Sequence, residues 1–167
     1  MKRLFLVCLL LISAQQFAKT DGKSNDQIPN VGDQVNPKWI VNGELCMTHS
    51  SQLDPCFKHD FGGIKFTVAF NNHTKKISYI ATTDQSFRTS DGLRIGSEVD
   101  VTSETVKAFP GWIIFAGPTA DGWWPMIGFA DTVKLKDGAV LRLSNRQGSE
   151  KGAAIVQGFA KGQYLSR

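Results

Sequence analysis

The chain lacks an apolar run long enough to cross a membrane. A transmembrane helix needs about 20 consecutive, mostly apolar residues, whereas the apolar run near the amino terminus, residues 4–12, is far shorter and no later stretch reaches that length. We therefore expect no membrane span in the mature chain.

The chain also lacks a cluster of lysine and arginine. Its 167 residues include 19 Lys and Arg against 15 Asp and Glu, and two of the basic residues, Lys2 and Arg3, lie in a segment that we expect to be removed. The remaining excess of +2 provides no concentrated positive surface, which binding to a phosphate backbone requires. The composition therefore argues against a nucleic-acid partner.

Common catalytic and cofactor-binding motifs are absent from the sequence. There is no G-x-S-x-G nucleophile elbow, no phosphate-binding loop, no dinucleotide fingerprint and no H-E-x-x-H zinc motif. Ser50 or Ser51 could be combined with His59 and Asp60 into a hydrolytic set, but their pattern is typical of polar loop residues. We expect a protein without a cofactor and treat catalysis as the second hypothesis.

The amino terminus has the three parts of a secretory signal peptide. Met1–Arg3 is positively charged, an apolar run follows, and small residues stand at Ala14 and Ala18. We expect a signal peptide over residues 1–18, cut after Ala18 or Ala14. The mature protein is then secreted or periplasmic.

Two further segments follow the signal peptide. Residues 19–37 are rich in Lys, Asp, Ser, Asn and Gln and contain few large apolar side chains, so burial cannot offset the entropy lost on ordering them. We predict a flexible polar leader over 19–37 and a single globular domain over 38–167, which is an ordinary size for one domain.

Alternation of apolar and polar residues predicts antiparallel hairpins. Residues 64–70 alternate, turn-forming residues follow, and an apolar β-branched run resumes over 76–83. Asp137-Gly138 separates two further alternating runs and favours a tight turn. Other strand candidates lie at 112–116, 126–130 and 153–159.

One segment has the pattern of a short helix. Thr102 or Ser103 could cap the first turn, Glu104 suits the positive end of the helix dipole, and Pro110-Gly111 would end the helix after Phe109. The sequence therefore predicts a β-dominated α+β domain, with an antiparallel sheet built from hairpins and one short helix.

Two cysteines, Cys46 and Cys56, remain after removal of the signal peptide. In an oxidising compartment a disulfide between them is the first interpretation. Each cysteine is followed three residues later by a histidine, so Cys46, His49, Cys56 and His59 also match the ligand set of a tetrahedral zinc site. Free thiols are the third possibility.

The segment Thr82–Ser97 resembles a pattern of small exported bacterial domains. In that pattern a strand ends in T-D-x-x-F-x-T, here Thr83–Thr89, and a G-hydrophobic-x-hydrophobic-G-S stretch, here Gly92–Ser97, leads into a short helix. The resemblance is to domains of the β-lactamase-inhibitor and outer-membrane-assembly lipoprotein type. It implies a binding or scaffolding protein rather than an enzyme.

Asn72-His73-Thr74 matches the acceptor pattern for N-glycosylation. It falls in the predicted turn of the first hairpin, where a glycan would be tolerated. Modification depends on whether the host glycosylates exported chains, so Asn72 is an open candidate.

The segment Gly117–Met126 combines turn-forming residues with large side chains. Gly, Pro and Asp predict a loop, yet the segment also contains Trp123, Trp124 and Met126. We expect side chains of this size to be buried in the fold or to stack against another group. Either the tryptophans fold back onto the sheet, or at least one faces solvent and anchors a ligand or partner. These three residues are the predicted binding site.

These observations lead to two functional hypotheses. The first is a non-catalytic exported domain that binds a protein or envelope component through its aromatic loop. The alternative is a small secreted hydrolase or metal-dependent enzyme that uses the segment Cys46–Asp60.

Overall fold

The structure is a computed structural model, and it describes residues 27–49, 52–109, 113–143 and 151–165. The predicted signal peptide lies outside the described residues. Within them the chain forms twelve β-strands and one 3-10 turn, Pro37–Trp39. The strands are β1 (Glu44–His49), β2 (Gln52–Phe61), β3 (Ile64–Phe70), β4 (Ile77–Thr82), β5 (Glu98–Thr102), β6 (Lys107–Ala108), β7 (Ile113–Phe115), β8 (Trp124–Phe129), β9 (Thr132–Lys134), β10 (Val140–Arg142), β11 (Lys151–Ile155) and β12 (Gly158–Gly162).

The strands pair antiparallel throughout the described part of the chain. The main sheet runs in the order β1-β2-β3-β4-β12-β8-β7-β6, with the β9–β10 hairpin joined to β8. β5 and β11 form a separate two-stranded sheet. The prediction of a β-dominated fold with an antiparallel sheet is confirmed.

Both hairpins predicted from alternation are present. In the first, Val68 of β3 lies opposite Ile80 of β4, and the Asn71 side chain closes the turn by accepting the backbone N–H groups of His73 and Thr74. In the second, Val140 lies opposite Lys134. Three residues, 136–138, form its turn between the bonded pair Leu135 and Ala139, and Gly138 supplies the left-handed backbone, with φ of 87°.

The predicted helix over 102–109 is wrong. β5 ends at Thr102, a turn follows, and β6 begins at Lys107 and pairs with β7. The turn is closed locally because Thr102 Oγ1 accepts the Thr105 N–H and Thr105 Oγ1 accepts the Thr102 N–H. Val106 and Phe109 pack against different hydrophobic clusters. They are three residues apart, and in an extended chain an odd separation places two side chains on opposite faces. A helix would have placed them on one face.

Part of the predicted polar leader, residues 28–35, contacts the sheet and its core. Val35 is 8% exposed, and its N–H donates to the Lys75 carbonyl at 2.9 Å. The Gly32 N–H donates to the Ile77 carbonyl at 2.8 Å. Ile28 is partly buried and packs against the main core. A few spaced apolar residues therefore anchor the end of the polar segment to β4, although its average composition is polar.

The main sheet buries hydrophobic side chains on both faces. One face carries two large clusters, and the first of these includes Phe66, Phe87, Trp123 and Phe159. The second contains Ile114, Ile127, Leu141 and Ala154, among others. The opposite face carries a smaller group, called here the outer cluster, which consists of Ile113, Phe115, Met126, Ala160 and Leu165. Because neighbouring residues of a strand point to opposite faces, β8 and β12 contribute to both sides.

The segment that follows Thr82 and ends at Ser97 forms the irregular connection from β4 to β5. Asp84 accepts the N–H groups of Ser86 and Lys65, and these hydrogen bonds hold the pKa of its carboxyl below the usual range. Phe87 is 3% exposed and inserts into the main core. Gly92 and Gly96 have positive φ, at 84° and 85°, so the connection needs their conformational freedom.

Candidate functional site

The aromatic loop is shorter than predicted, because β8 already begins at Trp124. Thr119 closes the loop: its N–H donates to the Trp123 carbonyl at 2.7 Å, and its Oγ1 accepts the Trp123 N–H at 2.9 Å. Gly122 has φ of 80°, which favours glycine. Met126 therefore belongs to a strand and not to the loop.

Trp123 lies in the main core and is 4% exposed. Its ring centroid is 4.8 Å from that of Phe87 and 5.9 Å from that of Phe66. Met126 is 8% exposed and belongs to the outer cluster. Both side chains are buried, so neither presents a large surface to a partner.

Trp124 is the half-buried member of the predicted set. It lies opposite Ala160 of β12 and packs against the outer cluster on the face away from Trp123. The Lys107 Nζ stands 5.4 Å from the Trp124 ring centroid and donates to the Leu165 carbonyl at 3.1 Å. The ring is therefore held from the sheet side and from one flank, while part of it stays accessible.

Two depressions adjoin Trp124, which together with Gly122 lines both of them. The first, called here the first cleft, has a volume of about 640 Å³ and is bounded further by Asn30, Val31, Lys161, Gly162 and Gln163. The second has a volume of about 480 Å³ and includes Lys107, Pro118 and Leu165. The accessible tryptophan thus has a lysine at each of its two depressions.

The charges near the first cleft come from Lys161 and Asp121. The Lys161 Nζ lies over the Trp123 ring, 4.7 Å from its centroid. Partial burial raises the pKa of Asp121, but hydrogen bonds from Thr119 Oγ1 and the Ser90 N–H, together with the Lys161 charge, outweigh it and hold this pKa below its usual range. Asp121 therefore stays ionised and ties two loops together.

The lowered pKa of Asp121 predicts an acid-sensitive contribution to stability. An Asp with a depressed folded-state pKa stabilises the fold above its unfolded pKa of about 3.9, and this contribution is lost as pH falls through the folded value. We expect the unfolding free energies of wild type and Asp121→Asn to converge as pH falls from about 5 to about 2. Urea unfolding at each pH measures this, with Asp91→Asn on an exposed turn as control. A wild-type advantage that does not change with pH would contradict the interpretation.

The disulfide predicted between Cys46 and Cys56 is present, with Cα atoms 5.7 Å apart. The two sulfur atoms that the zinc hypothesis needs as metal ligands are therefore bonded to each other. The His59 ring packs against Phe61 and Trp39, with centroids 4.6 and 5.7 Å away, while the side chain of His49 lies outside the described residues. Across the described ranges, no group of three or more His, Cys, Asp or Glu residues is placed to hold a metal ion.

Of the residues proposed for hydrolysis, His59 and Asp60 lie in the described part of the chain. Ser50 and Ser51 lie outside it. Asp60 Oδ1 accepts the Gly63 N–H at 2.6 Å and closes the β2–β3 turn, and His59 stands in a strand next to aromatic rings. The contacts of Asp60 are those of a turn residue.

The hairpin β1–β2 presents a second exposed apolar surface. Leu45, Met47 and Leu53 share one face of the hairpin and are 67%, 45% and 55% exposed. The opposite face is polar but buried: Asp54 Oδ2 accepts the hydroxyl groups of Thr48 at 2.8 Å and Ser78 at 3.0 Å. This apolar face is a second candidate contact surface beside Trp124.

Asn72 lies in the exposed turn between β3 and β4. Its side-chain oxygen accepts the Lys75 ammonium at 2.8 Å. Glycosylation of Asn72 stays a prediction.

Sequence reasoning missed the residues that surround Trp124. Asn30, Lys107, Lys161 and Gln163 come from three distant parts of the chain, and local patterns carry no signal for such a meeting. Lys161 lies opposite Ile80, and Ala160 lies opposite Trp124. These pairings can be recognised only once the order of the strands in the sheet is known.

No family model, curated protein or solved structure matches this chain. Within the described residues, no helix combines the length and the apolar character that crossing a membrane requires.

Proposed function

We propose that this chain is a non-catalytic exported domain that binds a protein or envelope component through the surface centred on Trp124. The observation that carries the proposal is an accessible tryptophan that separates two depressions, with Lys107 on one side and Lys161 on the other. The sequence hypothesis centred the binding site on the loop, whereas the site proposed here is centred on Trp124, the first residue of β8.

The fold presents the Trp124 side chain to a partner at low entropic cost. Trp124 is fixed by strand pairing with Ala160 and by packing on the outer cluster, so little conformational freedom is lost when it contacts a partner. Tryptophan is enriched among residues that dominate binding energy, and a partly exposed ring still offers apolar area for burial.

Two observations support an exported location. The sequence begins with the three parts of a signal peptide, and the Cys46–Cys56 disulfide is of the kind that persists in oxidising compartments. We infer that the protein acts in the secreted or periplasmic space, where its partner would also be found.

The alternative, a hydrolase or metal-dependent enzyme that uses Cys46–Asp60, has no specific observation in its favour. Both thiols are in the disulfide, and Asp60 closes a turn. The binding hypothesis has a formed surface, so we retain it as the proposed function.

Trp124→Ala is expected to weaken binding by at least about 30-fold, because truncation of a central interface residue costs about 2 kcal/mol or more. The measurement is a quantitative pull-down with the folded domain from a secreted or envelope fraction, followed by titration with the component retained. Ile127→Ala is the matched control: it removes a buried side chain on the other face of the same strand and should reduce stability at least as much, yet leave binding intact.

A second variant separates the two exposed surfaces of the molecule. Leu53→Ser makes the β1–β2 apolar face polar without touching the Trp124 surface. Binding that is lost in Leu53→Ser and kept in Trp124→Ala would assign the contact to the hairpin and contradict the proposal.

A further inference from the structure

We propose that the partner is a protein that covers Trp124 with a proline-rich segment in the polyproline II conformation. This inference rests on the proposed function and names the kind of partner that the same site takes. Two features carry it: the indole N–H of Trp124, and the apolar lining of the second depression, the one that Lys107, Pro118 and Leu165 help to form.

The indole N–H of Trp124 is a donor that the fold leaves open. In the described part of the chain no acceptor bonds it, since the contacts of Trp124 are strand pairing, packing on the outer cluster and the Lys107 ammonium. No buried side-chain nitrogen or oxygen among those residues lacks a hydrogen-bond partner, so this N–H is accessible to water. A partner that covers the ring must supply an acceptor, because a donor buried without one is costly.

The side chains that line the second depression offer no spare acceptor in return. Among the described residues of its lining, Thr119 is the one whose side chain has an acceptor oxygen. That oxygen already accepts the Trp123 N–H at 2.9 Å, and the hydroxyl donates to the Asp121 carboxylate at 2.6 Å. A ligand with many N–H groups would therefore leave them without partners in this depression.

The charged groups around Trp124 favour a neutral segment. The Lys161 charge acts on the ionised Asp121 carboxylate, and the Lys107 Nζ donates to the Leu165 carbonyl at 3.1 Å. A charged ligand would have to displace these contacts, whereas a neutral one leaves them in place.

The surface that the second depression offers to a ligand is apolar. Its volume is about 480 Å³, which lies in the range of small-ligand sites. The Trp124 ring forms one side of it, and the exposed residues Pro118 and Ala120 belong to the loop that borders it. Apolar rings packed against this surface would be removed from water, which is favourable.

A proline-rich segment meets these requirements together. Each proline brings an apolar ring and a carbonyl acceptor but no backbone N–H. In the polyproline II conformation the carbonyl groups are not used within the segment, so one of them is free to accept the indole N–H. The conformation is also preformed, so little entropy is lost on binding.

The position of Trp124 in the sheet argues against an ordinary extended peptide. Such peptides satisfy their N–H groups by adding a strand to a free sheet edge. β8 pairs with β7 and β12, and β12 pairs with β4 and β8. Strand addition is therefore not available beside Trp124, whereas a proline-rich segment does not need it.

The test is calorimetric titration of the folded domain with three probes: a proline decamer, a glycine–serine decamer and an amphipathic helical peptide of leucine and lysine. We expect the proline decamer to bind at least about tenfold more tightly than either of the others. Trp124→Phe keeps an aromatic ring but removes the N–H, and should weaken binding of the proline decamer about fivefold. Trp124→Ala should abolish it.

Two further variants separate the depression from the rest of the surface. Ala120→Gln places a longer polar side chain at an exposed position of the loop and should weaken binding of the proline decamer about tenfold, without a change of charge. Leu53→Ser, on the β1–β2 face, is the matched control and should leave the affinity unchanged.

Several results would overturn the inference. Equal binding of the proline and glycine–serine decamers would remove the role of proline, and equal or tighter binding of the helical peptide would assign the site to a helix. Unchanged affinity in Trp124→Phe would remove the indole hydrogen bond. Absence of proline binding, together with a pull-down that still depends on Trp124, would refute the partner class and leave the proposed function standing. A pull-down that ignores Trp124 would instead refute the proposed function. The comparison of the three probes needs no variant, so it decides even if a variant fails to fold.

Discussion

Trp123→Ala is expected to lower the free energy of unfolding by roughly 3–5 kcal/mol, the range for truncating a buried large aromatic side chain. The Trp123 ring contacts Phe87 and Phe66 in the main core, and the protein interior relaxes only partly around such a cavity. Chemical denaturation of wild type and variant measures the change.

The neighbouring tryptophan provides the control for this prediction. Trp124 is half-buried on the other face of the sheet, so Trp124→Ala should destabilise the fold by a smaller amount. Trp123→Ala should keep its partner affinity wherever it is still folded, since its ring lies in the core. A loss below about 1 kcal/mol, well under the range for a buried aromatic, would show that the Trp123 ring is not a core residue.

Removal of the disulfide by Cys46→Ala/Cys56→Ala is expected to lower the free energy of unfolding by about 2–3 kcal/mol. The two cysteines are 10 residues apart in sequence, and closing a loop of that length restricts the unfolded chain by about this amount in the chain-entropy model. Alanine avoids placing a new hydroxyl at Cys56, which is 1% exposed.

Denaturant unfolding of the wild type and the double variant measures this effect. Wild type treated with a reductant is the control, because it loses the cross-link without a change of sequence. Two free thiols in the mass spectrum of the untreated protein, or unchanged unfolding in the double variant, would contradict the disulfide assignment.

Local patterns in the sequence were sufficient for the parts of the fold that depend on local pairing. The β3–β4 hairpin follows from strict alternation and a turn that Asn71 closes with its own side chain. The Asp137-Gly138 turn joins β9 to β10 in the same way. In both, the information lies within about ten residues, so a single sequence contains it.

The helix over 102–109 shows why a capping pattern can mislead. Threonine stabilises a helix start and a tight turn through the same hydroxyl chemistry, and here Thr102 and Thr105 bond to each other. The choice depends on tertiary packing, since Val106 and Phe109 have separate clusters to fill. That information is absent from the local sequence.

The candidate site could be predicted only in part. The sequence identifies Trp123 and Trp124 as an unusual pair, and adjacent strand residues must point to opposite faces. It cannot say which face is more deeply buried, because both faces of β8 carry hydrophobic residues. Lys161 and Gln163 reach the site only because β12 lies beside β8, a pairing between segments more than thirty residues apart.

The most direct test of the Trp124 surface is an NMR titration that follows the indole N–H resonances. The chain has four tryptophans, and the Trp124 signal is assigned by its disappearance in Trp124→Phe. On titration with the component that the domain retains from a secreted or envelope fraction, we expect the Trp124 indole signal to shift most, and that of Trp39, near the β1–β2 end of the sheet, to stay in place. An unchanged Trp124 signal at saturating partner would contradict the proposed function.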